Sequence, residues 1–129
     1  MDILLDTHAL LWYLQNSQKL SRQAAETIED TSNTLWFSIA SLWEISIKLG
    51  LGKLSLQNSF SDLGRVLQQL QIEILSITFS DTERYLHLPL HHRDPFDRIL
   101  VAQAMNRSLV LMSRDPAFEA YDIQRLWSS

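Results

Sequence analysis

Four acidic side chains stand where this chain turns from one element to the next. Asp6 closes an apolar run, Ile3-Leu4-Leu5, and Asp115 follows another, Leu109–Met112. Glu44 lies two turns into an apolar helical pattern that starts at Ser38, and Asp97 lies in the first turn of a helix signalled by Asp94-Pro95. Each has an ordinary explanation. Asp6 and Asp115 would serve as N-caps worth about 1 kcal/mol apiece. Asp97 would be the return arm of a capping box on Asp94, and Glu44 would pair with Lys48 at i, i+4 on an exposed face. Jointly the four admit a different chemistry. Glu44 sits among Ala40, Ser41, Trp43 and Ile45, neighbours that suit a cleft wall better than open surface. Carboxylates converging at a mean spacing of about 6 Å would repel by roughly 2.8 kcal/mol per pair at an effective dielectric near 20. Six such pairs would cost on the order of 17 kcal/mol, more than the net stability of a domain. Such a cluster needs protons or a cation. Hard oxygen donors suit Mg²⁺ or Mn²⁺, and a carboxylate-held Mg²⁺ activates water and stabilises charge in phosphodiester cleavage.

The rest of the chain must position these acids, and its composition fits one domain. It has 129 residues, 46% of them hydrophobic, and a chain of this size buries about two-thirds of its unfolded surface. Cysteine is absent, which excludes disulfide scaffolds, thiolate metal sites and cysteine nucleophiles. Eleven basic residues against fifteen acidic give a net charge of −4, so no general cationic field draws in nucleic acid. Only three glycines and three prolines occur, leaving no linker, and residues 1–129 read as a single domain. The start, Met-Asp-Ile-Leu-Leu-Asp, has acid where a signal peptide needs base. No stretch approaches the roughly 20 apolar residues of a membrane span.

Strands are expected at Met1–Asp6, Thr34–Phe37, Ile72–Ile77 and Leu109–Met112, with an edge strand over Ile123–Trp127. Helices are expected after Asp6, from Ser21, from Ser38 to a stop at Gly50, over Ser61–Gln69, from Ser80 with Glu83 closing a capping box, and from Asp94. Asp115-Pro116 starts a short helical turn. Strands alternating with helices predict an α/β fold in three layers, a central parallel sheet with helices on both faces. Ligands in such sheets gather beyond the carboxyl ends of the strands.

The segments Ile3-Leu-Leu-Asp6-Thr-His8, Ser41-Leu-Trp-Glu44-Ile-Ser-Ile-Lys48, His91-His-Arg-Asp94-Pro-Phe-Asp97-Arg-Ile-Leu-Val-Ala-Gln-Ala104 and Leu111-Met-Ser-Arg-Asp115-Pro-Ala-Phe118 resemble, in that order, the PIN-domain nucleases. The resemblance is to the VapC-like toxins of type II toxin–antitoxin systems and covers essentially the whole chain. It implies a PIN-like fold and a Mg²⁺- or Mn²⁺-dependent endoribonuclease whose acids match Asp6, Glu44, Asp97 and Asp115. Asp94 is then the helix cap. The implied reaction is in-line attack of a metal-activated water on an RNA phosphodiester, with Asp6 and Asp97 as primary ligands. Glu44 and Asp115 would hold a second ion or its waters, or orient the nucleophile. The resemblance further implies a homodimer, a cognate antitoxin as partner, and a cytoplasmic location without membrane contact. Thr7 and Ser113 are placed to bond a ligand water or phosphate oxygen, although helix-start and turn chemistry explains them equally well. Lys48, Arg93, Arg98 and Arg114 could meet flanking phosphates, against the plain reading of solvated surface charge. His91 and His92 read as an ordinary loop before a metal or stacking role, and the four tryptophans as core.

Two other Mg²⁺ sites on α/β folds fail on these residues. A haloacid-dehalogenase-type phosphatase wants an aspartate at position 8, which is His8. A response-regulator receiver wants a mid-chain strand ending in aspartate and a late lysine, but the last lysine is Lys53. The remaining alternative is a catalytically silent PIN-fold protein-interaction module.

Overall fold

The computed structural model describes residues 1–128 of the chain. The apolar tetrad after Met1 forms strand β1 (Asp2–Leu5), whose side chains alternate across the sheet: Ile3 and Leu5 enter one core cluster and Leu4 the other. Helix α1 (Thr7–Leu14) follows at once, then α2 (Arg22–Glu29), strand β2 (Thr34–Ser38), α3 (Ile39–Gly50) and α4 (Phe60–Gln69). Strand β3 (Ile72–Leu75), α5 (Phe79–Leu86), α6 (Pro95–Arg107) and β4 (Val110–Met112) come next. A 3₁₀ turn (Pro116–Ala120) and the two-residue strand β5 (Arg125–Leu126) complete the order. The five strands pair in the order β3-β2-β1-β4-β5, all parallel. Helices α1 to α4 supply one core cluster, with Ala9, Leu10, Ile28, Ile45 and Leu67 against Ile3, Leu35 and Phe37. The other face is closed by α6 and the turn, with Leu100, Val101, Ala104 and Phe118 against Leu4 and Leu111. This is the expected three-layer α/β architecture.

Local chemistry sets the helix ends. Ser21, Ser38 and Asp94 cap α2, α3 and α6 through their side-chain oxygens, and Pro95 takes the first turn of α6. Helix α6 then ends on Ser108 in the left-handed region, φ 53°. Two starts and stops differ from the sequence expectation. The capping box of α5 is Thr78 with Asp81, two residues before the expected Ser80 and Glu83. Helix α3 ends at Gly50 as expected, although the positive φ that closes the following turn belongs to Gly52. Strand β3 also stops at Leu75 rather than Ile77. Among the described residues no helix is long and apolar enough to cross a membrane.

The strand order places a switch point at β1. The chain builds outward through β2 and β3, then returns through α6 to lay β4 on the other side of β1. The loops leaving β1 and β4 therefore diverge at their carboxyl ends, where a parallel sheet opens a crevice.

Candidate active site

Asp6 leaves β1 directly into that crevice. Its backbone N–H continues the sheet by donating to Met112 O at 3.0 Å, and its Oδ1 accepts from the Ala9 N–H at 2.8 Å. The cap reading is thus correct but incomplete, because the side chain is buried and also accepts from the Ser113 hydroxyl. Burial pushes its pKa up and the charge of Glu44 adds to that, while bonds from Ser113 and Ala9 and the charge of His8 oppose it.

Glu44 makes the i, i+4 pair with Lys48, Oε2 to Nζ at 2.8 Å, but from a buried position. Its other oxygen accepts from the Thr7 hydroxyl at 2.7 Å. Both oxygens are therefore engaged, one by a hydroxyl from α1 and one by an ammonium from its own helix. One turn earlier, Ser41 is wholly buried with no partner for its hydroxyl.

Asp97 is held by the first turn of α6. Its neighbour Asp94 makes the cap to the Phe96 N–H at 2.8 Å. Among the described residues Asp97 accepts no hydrogen bond, so the capping-box reading falls away for it. Burial first, then the charge of Asp94, push its carboxyl up to about 7; Glu44 and Asp6 add to the rise and His92 opposes it. Three carboxyls from α1, α3 and α6 thus sense one another across the crevice.

Asp115 behaves differently. It is 45% exposed, caps the 3₁₀ turn through Oδ1 and Ala117 N–H at 2.9 Å, and takes the His92 Nε2 on Oδ2 at 3.0 Å. Burial raises its pKa, but the bonds from Ala117 and His92 and the charges of His92 and Arg125 outweigh it and hold the carboxyl below the usual range. Its backbone N–H donates to Ser113 Oγ at 3.1 Å, and the same Ser113 reaches Asp6. The fourth acid is therefore joined to the site through a serine and turned toward a histidine. Among the described residues no three Asp, Glu or His side chains stand close enough to hold a metal ion as they are.

A family model for the PIN domain matches residues 3–124. The chain belongs to the PIN-domain family. Its fold is similar to VapBC2 from Rickettsia felis bound to a DNA fragment from their promoter, with 16% identity, 98% of both chains covered and a TM-score of 0.71. A toxin–antitoxin complex from Klebsiella pneumoniae aligns at 19% identity over 97% of this chain and 96% of that one, TM-score 0.66. The PIN domain endonuclease Utp24 aligns at 17% identity over 92% of this chain and 74% of its own, TM-score 0.52. No curated protein sequence matches the chain.

Within this PIN domain the accessory residues fall into three groups. Thr7 and Ser113 bond the acids themselves, Glu44 and Asp6 respectively. Lys48 faces Glu44. Arg98, weighed from sequence as a phosphate contact or solvated surface charge, is neither: it is buried, with its guanidinium donating to the carbonyls of Tyr85, Leu88, Pro89 and His92 and lying 4.7 Å over the Tyr85 ring. It clamps the loop before α6, because four backbone carbonyls converge on its donors. His92, read from sequence as plain loop, has a side chain only 8% exposed, stacked on Phe118 at 4.4 Å and on Tyr121 at 5.6 Å. Its partners lie 23 to 29 residues further on, beyond any local pattern. The tryptophans divide as well: Trp36 is partly buried beneath the second core cluster, whereas Trp43 is 58% exposed beside Phe96.

Proposed function

We propose that this PIN domain is a Mg²⁺- or Mn²⁺-dependent endoribonuclease acting as the toxin of a toxin–antitoxin pair. The observation that carries the reading is Asp97: a half-buried carboxyl without a hydrogen-bond donor, among two buried acids, pushed to about 7. Such a group is short of a positive partner. The donor set fits a hard divalent ion, since it consists of carboxylate oxygens with the unpaired Ser41 hydroxyl one turn from Glu44. Asp6 and Asp97 are the direct ligands in this reading, with Glu44 and Asp115 holding a second ion or its waters. The ion, when bound, supplies a Lewis acid that lowers the pKa of water and offsets charge building on a phosphoryl oxygen. Thr7 and Ser113 fix the rotamers of Glu44 and Asp6, so that the oxygens do not have to be ordered during turnover.

RNA contacts fit two hollows beside the acids. One, of about 400 Å³, joins Glu44, Lys48 and Arg93 to Phe96. The other, of about 620 Å³, is lined by Lys19, Arg114, Arg125 and Trp127, and Arg125 also donates to Ser113 O at 3.0 Å. Lys48 is paired with Glu44 and Arg125 with Glu119, so Arg93, Lys19 and Arg114 are the cations that would meet phosphates on either side of the scissile bond. A second copy of the chain would cover the exposed stripe Ile39, Trp43, Ile47 and Leu51 on α3. An antitoxin would be its partner and would restrain it, a reading supported by the similarity of its fold to the toxin–antitoxin complex from Klebsiella pneumoniae.

The test is cleavage of a mixed RNA pool by the purified full-length chain in Mn²⁺ and in EDTA, beside Asp6→Asn and Asp97→Asn. Cleavage by the wild type in Mn²⁺ alone, lost in both variants with folding kept, supports the reading. One observation favours the silent interaction module: Lys48 already pairs with Glu44 and Asp115 turns to His92, so that among the described residues no three acids or histidines are grouped closely enough to hold an ion. A wild type that cleaves no RNA in Mn²⁺ decides for that module.

A further inference from the structure

The ribonuclease reading leaves His92 and Tyr121 without a task, although both are among the most closely packed polar side chains near the site. Tyr121 is 5% exposed and is flanked by two imidazoles, His92 stacked and His91 edge-on at 5.0 Å. Its hydroxyl oxygen stands 3.0 Å from the His92 backbone nitrogen and 3.1 Å from His92 Nδ1. The other ring nitrogen, Nε2, stands 3.0 Å from Asp115 Oδ2.

For a neutral imidazole, proton counting gives the direction of these bonds. The Asp115 carboxylate already accepts the Ala117 N–H on its other oxygen, and as a carboxylate it only accepts, so Nε2 must carry a hydrogen and donate it. The tyrosine oxygen accepts the His92 backbone N–H and keeps its own proton for Nδ1, which accepts it in the neutral ring. The chain runs Tyr121 O–H to Nδ1, then Nε2–H to Asp115, and every polar atom along it is satisfied. The second oxygen of Asp115 is fixed by Ala117 N–H at 2.9 Å. A carboxylate with one donor on each oxygen has a single orientation and still offers a lone pair on each.

We propose that His92 and Tyr121 are positioning residues for Asp115, a hydrogen-bonded relay that orients the fourth acid of the site and ties it to the loop leading into Asp94 and the first turn of α6. The proposal rests on the ribonuclease reading. Partners of this kind that orient a ligating group typically change metal affinity or activity by about 10–100-fold when removed. Phe118 and Tyr121 hold the imidazole on its faces, which leaves rotation in its own plane to the two hydrogen bonds. A purely packing role would need only the stacked faces. The relay needs a donor at the position of Nε2.

His92→Gln keeps an N–H near that position without the ring, His92→Ala removes both, and Tyr121→Phe removes only the hydroxyl. The experiment uses the full-length chain, with thermal melts to confirm folding. It reads Mn²⁺ affinity by titration calorimetry, kcat and KM on one cleaved RNA, and the His92 tautomer by long-range ¹H–¹⁵N correlation in metal-free protein. The expected result is an Nε2–H tautomer in the wild type. His92→Ala should lower kcat or Mn²⁺ affinity by about 10-fold or more with KM little changed, and His92→Gln should recover most of it. Tyr121→Phe should fall between. His92→Gln as poor as His92→Ala, His92→Ala equal to wild type, or an Nδ1–H tautomer each overturns the relay while the wild type still cleaves. If His92→Ala does not fold, the Gln and Phe variants and the wild-type tautomer decide. A wild type that neither binds Mn²⁺ nor cleaves RNA overturns the ribonuclease reading itself, and the positioning role goes with it.

Discussion

Asp97 makes the fold sensitive to pH in a direction that can be worked out. Its pKa rises from 3.8 to about 7 on folding. Below about pH 4 both states hold the proton and the group is neutral toward stability. Between the two values the unfolded chain releases a proton that the fold retains, so stability falls as pH rises through that window. In EDTA the wild type should therefore melt lower at pH 8 than at pH 5. Asp97→Asn should remove part of that difference and melt above the wild type at pH 8, and Mn²⁺ should raise only the wild type. Equal pH dependence in the two proteins would contradict this electrostatic account. Lys48 offers a second check. Its side chain is 39% exposed and its ammonium occupies an oxygen of a Glu44 side chain that is 9% exposed, so it competes with any ion for that oxygen. Lys48→Met should melt lower in EDTA and gain more from Mn²⁺ than the wild type does, as followed by calorimetry; a smaller gain removes Lys48 as the competitor.

Among the elements, the pairing of α5 with α6 depends on one buried acid. Asp81 is fully buried and receives the Thr78 N–H, Asn106 Nδ2 at 2.9 Å and both Arg107 nitrogens at 2.8 and 3.1 Å. Burial alone would raise its pKa, yet these bonds and the Arg107 charge outweigh that and bring it to about 2. Asp81→Ala strands a half-buried guanidinium and should cost roughly 3–5 kcal/mol in urea denaturation, since one partner of a buried pair is lost. Cleavage per folded molecule should be unchanged. Asp81 also shows why some features were legible and others were not. Ser21, Ser38 and Asp94 are caps that satisfy their own next turn, and the sequence announced them. Thr78–Asp81 and Ser80–Glu83 satisfy the same local rule equally well, and Arg107 and Asn106 choose between them from more than twenty residues away. The parallel sheet with helices on both faces followed from alternation of elements, whereas the order β3-β2-β1-β4-β5 did not, because alternation alone does not say on which side of β1 each later strand is laid. The relay through His92 depends on Tyr121 and Asp115 meeting across the fold, and Arg98 was misread because its four carbonyl partners are invisible in a list of charges.

For the whole molecule, the exposed stripe on α3 predicts self-association. Ile39, Trp43 and Ile47 recur every four residues on one side of the helix, with Leu51 just beyond. Trp43→Glu should shift the protein from dimer to monomer in sedimentation, with its far-UV dichroism unchanged; a wild type that is monomeric at all concentrations removes this assignment. The strand order has a separate consequence for biosynthesis. Translation delivers β1 first, yet β1 is the middle of the sheet and stays bare on one side until β4 is made. Asp6 and Ser113 cannot meet before that, and Asp115 is later still. On the ribonuclease reading, a nascent chain that has not yet extended past β4 still carries its acids unassembled and is not yet able to cut RNA.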